Sequence, residues 1–335
     1  MVPFPERRAL RIVIPGGSGL LGRVLARHFQ ERGHHVRVLT RGPYTAPWQT
    51  VHWDGRHTGP WVDYLEGTDA CINLAGRSVN CRWDAVHREE IRASRLETTQ
   101  LLHRAMAGLE FPPRVWLNAS TATIYRHALD RPGIDREMDE ATGELGGREW
   151  MGKRRRAPES WDFAAGVAKE WEEAFYAERL PWTRKVSMRM GMVMSAEGGG
   201  AFAALSNLVR LSLGGKQGNG RQYVSWIHEK DLARAVEFLI EREDLEGAVN
   251  VTAPYPVHNR ELMAALRDAW EVPNGFPIPG PLVKLGVRMM RTEAELVLKS
   301  RRVVPGRLLE AGFQFEFPEW AEAAEDLVRR WRNRE

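Results

Sequence analysis

In the first 250 residues, short apolar runs alternate with longer segments in which apolar residues recur at a helical period. Short runs rich in β-branched residues predict six strands, at residues 11–14, 36–40, 50–53, 70–74, 114–119 and 185–190. Longer stretches with apolar residues every three to four positions predict helices between several of them, notably 84–106 and 159–178. Strands joined by helical crossovers specify a parallel sheet with helices on both faces. We therefore expect an α/β, doubly wound fold.

The pattern changes after about residue 250, where helical periodicity dominates. Helices are predicted at residues 260–270, 281–290, 293–299 and 319–331, joined by loops rich in proline and glycine. A chain of 335 residues also exceeds the usual size of a single hydrophobic core. We expect a parallel-sheet Rossmann domain over residues 9–250 and a smaller, mainly helical C-terminal lobe over residues 251–335.

The turn after the first strand carries the clearest chemical signal. The strand runs into a glycine-rich turn and then an amphipathic helix, and the turn reads Gly16-Gly17-Ser18-Gly19-Leu20-Leu21-Gly22. In such a unit the first glycine permits the turn, Gly19 lets the backbone approach a pyrophosphate, and Gly22 lets the helix pack on the strand. The amides at the helix start then face the phosphates. The alternative is a glycine-rich turn without a ligand.

The end of the second predicted strand indicates which dinucleotide binds. An NAD site usually places Asp or Glu about 20 residues after the glycines, where it binds the ribose hydroxyls. This chain has Thr40 and Arg41 there. A carboxylate would repel a 2′-phosphate, whereas a guanidinium binds it through two charge-assisted hydrogen bonds. We expect NADP(H) rather than NAD(H), and the alternative is a solvated surface arginine.

Composition limits the classes of partner. The 48 basic and 44 acidic residues give a net charge of +4, spread along the chain, which does not call for a nucleic acid. No apolar run approaches the roughly 20 residues that span a membrane, and the N-terminus lacks signal-peptide features. Two cysteines without a Cys/His cluster favour a cytoplasmic setting and no structural metal. The basic run at 153–156 is expected in a solvated insertion, with a polyanion-binding patch as the alternative.

A second candidate cofactor segment, Asn73-Leu74-Ala75-Gly76, ends the fourth predicted strand. Small residues there leave room for the adenosine and ribose of a dinucleotide, because such ligands lie at the carboxyl ends of the strands in doubly wound folds. The alternative is a plain turn that ends the strand.

Together these segments resemble the extended short-chain dehydrogenase/reductases along nearly the whole chain. The glycine turn resembles the family's phosphate loop, residues 73–76 its motif after the fourth strand, and Trp226-Ile227-His228-x-x-Asp231 its late histidine–aspartate segment. More narrowly, the chain is similar to an atypical branch whose members are often labelled epimerase family proteins. That similarity covers residues 94–99, 171–172, 213–228, 250–256 and 308–313. The branch has a nucleotide-binding domain followed by a C-terminal domain of unassigned role.

The resemblance implies further contacts with the cofactor. The backbone of Leu74 and Ala75 would line the dinucleotide. On the following helix, Glu90 would reach a ribose or adenine edge, and Arg95 would meet the cofactor directly. Val193 would pack at the nicotinamide end. For Arg95 the alternative is an ordinary charge on a helix surface.

Catalysis is where the chain departs from the family. Most members carry Tyr-x-x-x-Lys on the helix beside the nicotinamide, where the tyrosine transfers a proton and the lysine lowers its pKa. Aligning Glu172 with the family's acidic residue puts Ala164 and Ala168 at those two positions. The remaining candidates are Ser120, which matches the substrate-side serine, and Tyr125 as proton donor. A turn role for Ser120 has equal weight, and a packed ring with a satisfied hydroxyl has more weight than catalysis for Tyr125.

Two classes of function follow. The first is an NADP(H)-dependent oxidoreductase or epimerase with rearranged acid/base groups, acting on an unidentified carbonyl or sugar-like substrate. The second is a nonenzymatic NADP(H)-binding regulator or redox sensor. Loss of the Tyr–Lys pair favours the second function. The intact segment 222–228, which we expect to face a cleft, favours the first, which we prefer. We expect NADP(H) and a small-molecule substrate as partners, a monomer or homodimer, and a structural hydrogen bond from His228 to the region of Asp231.

Overall fold

A seven-stranded parallel sheet forms the centre of the computed structural model, which describes residues 8–128, 136–147, 158–283 and 295–334. The sheet strands are β1 (Arg11–Pro15), β2 (His35–Thr40), β3 (Gln49–His52), β4 (Ala70–Asn73), β5 (Val115–Thr121), β6 (Arg184–Met190) and β10 (Gly247–Val251). Four short strands pair outside it: β7 (Met192–Met194) with β9 (Trp226–His228), and β8 (Tyr223–Val224) with β11 (Val257–His258). The six strands expected from the sequence are confirmed, and β10 is an addition.

The order of strands across the sheet is β10-β6-β5-β4-β1-β2-β3. β1 therefore lies between β2 and β4, and the chain changes direction across the sheet at that point. In open parallel sheets, ligands bind outside the carboxyl ends of the strands where the order reverses. The glycine turn follows β1 and residues 73–76 close β4, so both lie at this switch point.

Helices cover both faces of the sheet, which confirms the doubly wound fold. In chain order they are α1 (Leu20–Glu31), α2 (Ala85–Ala107), α3 (Glu159–Tyr176), α4 (Gly200–Arg210), α5 (Glu229–Glu241), α6 (Asn259–Trp270), α7 (Glu295–Leu298), α8 (Gly306–Glu310) and α9 (Trp320–Arg332). One core places Leu25 and Phe29 of α1 with Val236 of α5 against the sheet. On the other face, Leu101 of α2 and Phe175 of α3 pack around the strands.

A further core holds the C-terminal lobe together. Helices α4, α6 and α9 pack around Trp226 and Trp320, whose ring centroids are 5.0 Å apart. Since α4 and Trp226 precede residue 251, this core includes residues from before the expected boundary, and the division after residue 250 stays a prediction. The basic run 153–156 and most of the helix expected at 281–290 lie outside the described residues. Within the described ranges, no helix has the length and apolarity needed to cross a membrane.

Candidate functional site

The glycine turn between β1 and α1 is built from backbone approaches that exclude a side chain. At Gly16, φ is +75°, and an added Cβ would lie 2.7 Å from the Cα of Ala75. A Cβ on Gly22 would lie 2.3 Å from the Cα of Gly17. Gly16 therefore brings the turn against the end of β4, and Gly22 brings the first turn of α1 against the loop itself.

Gly19 has space that the other glycines lack. Of the atoms in the described ranges, only the carbonyl oxygen of Gly16, at 3.5 Å, lies within 4 Å of an added Cβ, and Gly19 is exposed. It is the N-cap of α1, and no side chain caps the helix. Among the residues that the structure describes, no side chain accepts from the first amides of α1. The electropositive end of a helix with open space in front of it suits a diphosphate.

The end of β2 adds two groups to this site. Thr40 Oγ1 donates a hydrogen bond to Ser18 Oγ over 3.1 Å, which joins the strand to the glycine turn. Arg41 is exposed, and within the described part of the chain its guanidinium has neither a hydrogen-bond nor an ion-pair partner. A cation that no carboxylate neutralises is therefore available to an anion at this edge of the sheet.

The end of β4 is shaped by a buried amide side chain. Asn73 Nδ2 donates to Asn118 Oδ1 at 2.7 Å, and its Oδ1 accepts from the Ala75 amide at 3.1 Å. This pairing directs the chain through a half-buried Leu74 and a buried Ala75 to an exposed Gly76. The structure thus brings residues 73–76 together with the glycine turn.

Arg95 of α2 lies beside this segment. An added Cβ on Gly76 would lie 3.6 Å from the Arg95 Cζ. The guanidinium donates to the carbonyls of Arg77 and Ile91 at 3.2 and 2.8 Å and lies 5.1 Å from the ring centroid of Trp171. It pairs with no carboxylate in the described ranges, and burial lowers its pKa to about 10. A half-buried guanidinium without a counter-ion supports a role for Arg95 in binding an anionic ligand. It does not support the alternative of a solvated charge on the helix surface.

Glu90 and Val193 lie at the margins of the site. The carboxylate of Glu90 accepts from Arg77 Nη1 at 2.8 Å, and its side chain is 47% exposed. The ribose contact expected for Glu90 would therefore have to compete with this ion pair. Val193 lies in β7, is half-buried, and pairs in register with Ile227 of β9.

A buried polar network occupies the carboxyl ends of β5, β6 and β10. Ser120 Oγ donates to Glu172 Oε1 at 2.6 Å. Arg189 donates through Nε and Nη2 to the two oxygens of Glu172 at 2.9 and 2.7 Å. Its Nη1 donates to Tyr125 Oη at 2.8 Å, and that hydroxyl donates to Asn250 Oδ1 at 2.9 Å. None of these five residues is more than 9% exposed.

The network changes the expectation for Tyr125. Its ring is completely buried, and its hydroxyl is committed to Arg189 and Asn250. Burial raises its pKa, although Arg189 opposes the change. A proton donor must reach the substrate oxygen, so this geometry argues against Tyr125 as a catalytic acid and supports the packed-ring alternative. Sequence reasoning missed both Arg189 and Asn250. The available signal for Arg189 was a charged residue near the end of the predicted strand 185–190, whereas the strand that carries Asn250 was itself not predicted.

The two positions that the sequence alignment predicts to replace Tyr and Lys of the wider family contribute to packing. Ala168 is buried in an apolar cluster that includes Ile124, Met138 and Val303. Ala164 packs at the edge of a second cluster, around Trp83. From α3, Glu172 hydrogen-bonds with the network, through Ser120 and Arg189.

Comparisons with known proteins agree with the fold. Residues 12–148 match the model of the NAD dependent epimerase/dehydratase family, and residues 278–327 match a domain of unknown function, DUF1731. The chain is 33% identical to the bovine epimerase family protein SDR39U1 over 325 residues, which are 95% of this chain and all of that protein. The chain belongs to this epimerase family. An epimerase family protein of Staphylococcus saprophyticus is 31% identical over 94% of the chain and 98% of its own length.

Solved structures give the same result for this epimerase family member. Human SDR39U1 (isoform 2), crystallised with NADPH, has a TM-score of 0.80 and 30% identity and covers 96% of this chain and 99% of its own. The nucleoside-diphosphate sugar epimerase of Corynebacterium glutamicum has a TM-score of 0.70 and 27% identity, over 96% of this chain and 59% of its own. The expected resemblance to an extended short-chain dehydrogenase/reductase of the epimerase branch is confirmed.

The late histidine of this epimerase family member serves the fold. His228 is fully buried, its Nδ1 accepts from the Lys230 amide at 3.1 Å, and its Nε2 lies 3.2 Å from Asp326 Oδ2. Its side-chain partner is therefore Asp326 of α9 rather than Asp231. The Asp231 carboxylate instead accepts from the backbone amides of residues 316 and 317, both at 2.8 Å. The two acids together attach the C-terminal segment to α5.

A cavity of about 1130 Å³ in this epimerase family member opens at the opposite edge of the sheet. It lies at the amino ends of β4, β5, β6 and β10, away from the glycine turn and the buried network. Two of its cationic side chains have partners: Arg114 pairs with Glu243 at 2.7 Å, and Lys185 donates to the Phe175 carbonyl at 3.0 Å near the end of α3. Within the described ranges no cluster of three metal-binding side chains occurs.

Proposed function

We propose that this chain binds NADP(H) and acts as an oxidoreductase or epimerase-type enzyme on a small carbonyl or sugar-like substrate, without a Tyr–Lys pair. The open end of α1 at Gly19, with the unneutralised Arg41 at the neighbouring strand end, carries this proposal. The NADPH crystallised with human SDR39U1 supports the choice of cofactor.

Each part of the site has a distinct task in this proposal. The dinucleotide supplies the hydride, so the chain has to orient it and manage one proton. The amides at the start of α1 bind the pyrophosphate, and Arg41 binds the 2′-phosphate. The backbone of residues 74–75 lines the dinucleotide, Arg95 contacts one of its anionic groups, and Val193 packs at the nicotinamide end. Ser120 contacts the substrate oxygen.

Titration of NADPH and NADH into the wild type and Arg41→Ala tests the cofactor proposal. Loss of one charge-assisted hydrogen-bond partner costs about 1.5–3 kcal/mol, or roughly 10- to 100-fold in affinity. We expect that loss for NADPH and little change for NADH. Arg179→Ala, which changes an exposed arginine at the opposite edge of the sheet, is the matched control. Equal affinities of the wild type for the two dinucleotides would contradict the proposal.

A nonenzymatic NADP(H)-binding regulator is the second candidate. The packing of Ala168 and the commitment of the Tyr125 hydroxyl favour it, because both remove conventional proton donors. Nicotinamide absorbance measured against a panel of carbonyl compounds and nucleotide sugars distinguishes the two functions. Turnover of any member supports the enzyme. Tight NADPH binding without turnover of any compound in the panel would favour the regulator function over the enzyme function.

A further inference from the structure

The Ser120 hydroxyl donates its single proton to the carboxylate of Glu172. Ser120 Oγ lies 2.6 Å from Glu172 Oε1, and an ionised carboxylate only accepts hydrogen bonds. Arg189 binds both oxygens of Glu172, at 2.9 and 2.7 Å, and such a bidentate pair stabilises the ionised form. Ser120 is therefore the donor in this hydrogen bond. Its oxygen keeps two lone pairs, and no proton, for a ligand.

The surrounding structure holds this arrangement in place. Ser120 of β5 pairs in register with Arg189 of β6, so adjacent strands carry the hydroxyl and the guanidinium. Arg189 is held in turn by Tyr125, whose hydroxyl donates to Asn250 on β10. A buried network in which each member is satisfied resists rotation of any one side chain.

We propose that Arg189 and Glu172 are positioning residues that hold Ser120 as a hydrogen-bond acceptor, so the site prefers an alcohol to the ketone of the same shape. A ketone oxygen accepts hydrogen bonds only, so it meets the lone pairs of Ser120 without forming a bond. The hydroxyl of an alcohol donates to the same oxygen. This inference rests on the proposed function, because it requires a bound oxidised dinucleotide and a substrate oxygen at Ser120.

Cyclohexanol and cyclohexanone are suitable matched probes, since they share a ring and differ in the donor. Their dissociation constants are measured on the NADP⁺ complex by ligand-observed NMR. Cyclohexanol should bind roughly three- to tenfold more tightly, the effect expected of one neutral hydrogen bond. Ser120→Ala should abolish this preference, and Ser120→Thr, which keeps the hydroxyl, should retain it.

Glu172→Gln tests the positioning role itself. With its NH2 group in place of Oε1, the new amide gives up the bond from Arg189 Nε and donates to Ser120 Oγ. The serine proton is then released, so the preference should shift toward cyclohexanone. A purely structural role would weaken both probes alike and leave the ratio of their affinities unchanged. Ser120→Ala leaves the Glu172–Arg189 pair intact, so the test stands even if Glu172→Gln does not fold.

The outcomes separate this inference from the proposed function. With NADP⁺ bound, the inference is overturned by equal affinities in the wild type, by binding of neither probe, or by an unchanged ratio in Ser120→Ala. The proposed function survives each of these results. Failure of NADP⁺ to bind the wild type overturns the proposed function and this inference together.

Discussion

The buried imidazole of His127 makes the stability of the protein depend on pH. Its Nδ1 accepts from the Ser300 amide at 3.0 Å, and its ring stacks on Trp161 with centroids 4.4 Å apart. Burial, followed by the charges of Lys299 and Arg301, lowers the pKa of the imidazole from 6.5 to about 4. A proton on Nδ1 removes the acceptor and adds a buried charge beside other cations. The folded state therefore holds the ring neutral.

The direction and size of the effect follow from the lowered pKa of His127. The stabilisation is complete above the unfolded pKa of 6.5 and is lost as the pH falls from there to about 4, because the unfolded chain binds the proton more tightly. One pKa unit corresponds to about 1.4 kcal/mol. Between pH 7 and pH 5, His127 should lower the free energy of unfolding by about 2 kcal/mol.

Urea unfolding of the wild type and His127→Asn at both pH values measures this contribution. The amide oxygen of asparagine accepts from the Ser300 amide without titrating, so the variant should lose about 2 kcal/mol less than the wild type. His52→Asn, at an exposed position of β3, should keep the wild-type dependence. Equal losses in the wild type and His127→Asn would refute the argument.

Four further substitutions separate binding from folding. Gly19→Val should abolish NADPH binding, measured by nicotinamide fluorescence. The chain should still fold, because a side chain there meets open space, and retained binding would contradict the phosphate site. Gly22→Ala should lower the free energy of unfolding in urea by about 1–3 kcal/mol, because its Cβ would overlap backbone, and unchanged stability would count against that contact. Glu172→Ala should cost about 3–5 kcal/mol in the same assay, because it leaves the Arg189 guanidinium buried without its counter-ion, and a cost below 1 kcal/mol would refute this. Tyr125→Phe should cost about 1–3 kcal/mol and leave NADPH affinity unchanged, whereas a 100-fold loss of turnover in the folded variant would restore its catalytic role.

Local patterns in the sequence were sufficient for most of the Rossmann domain. Six of its seven sheet strands, the glycine turn and helices α2 and α3 were predicted, because hydrophobic period and glycine spacing are properties of short segments. The seventh strand, β10, was missed. It has five residues, begins with glycine and contains Asn250, all of which weaken a strand signal. Its stability comes from pairing with β6 and from the buried network around Asn250.

The roles of the polar residues depended on tertiary structure. The sequence, with its family resemblance, predicted that alanines replace the Tyr–Lys pair, and it placed Ser120 and Tyr125 just after the same predicted strand. It did not determine that Arg189, 64 positions after Tyr125, donates a hydrogen bond to the tyrosine hydroxyl. Nor did it determine that His228 pairs with Asp326, 98 positions away. Such hydrogen bonds join residues that only the packed sheet and helices bring together, and no local period records them.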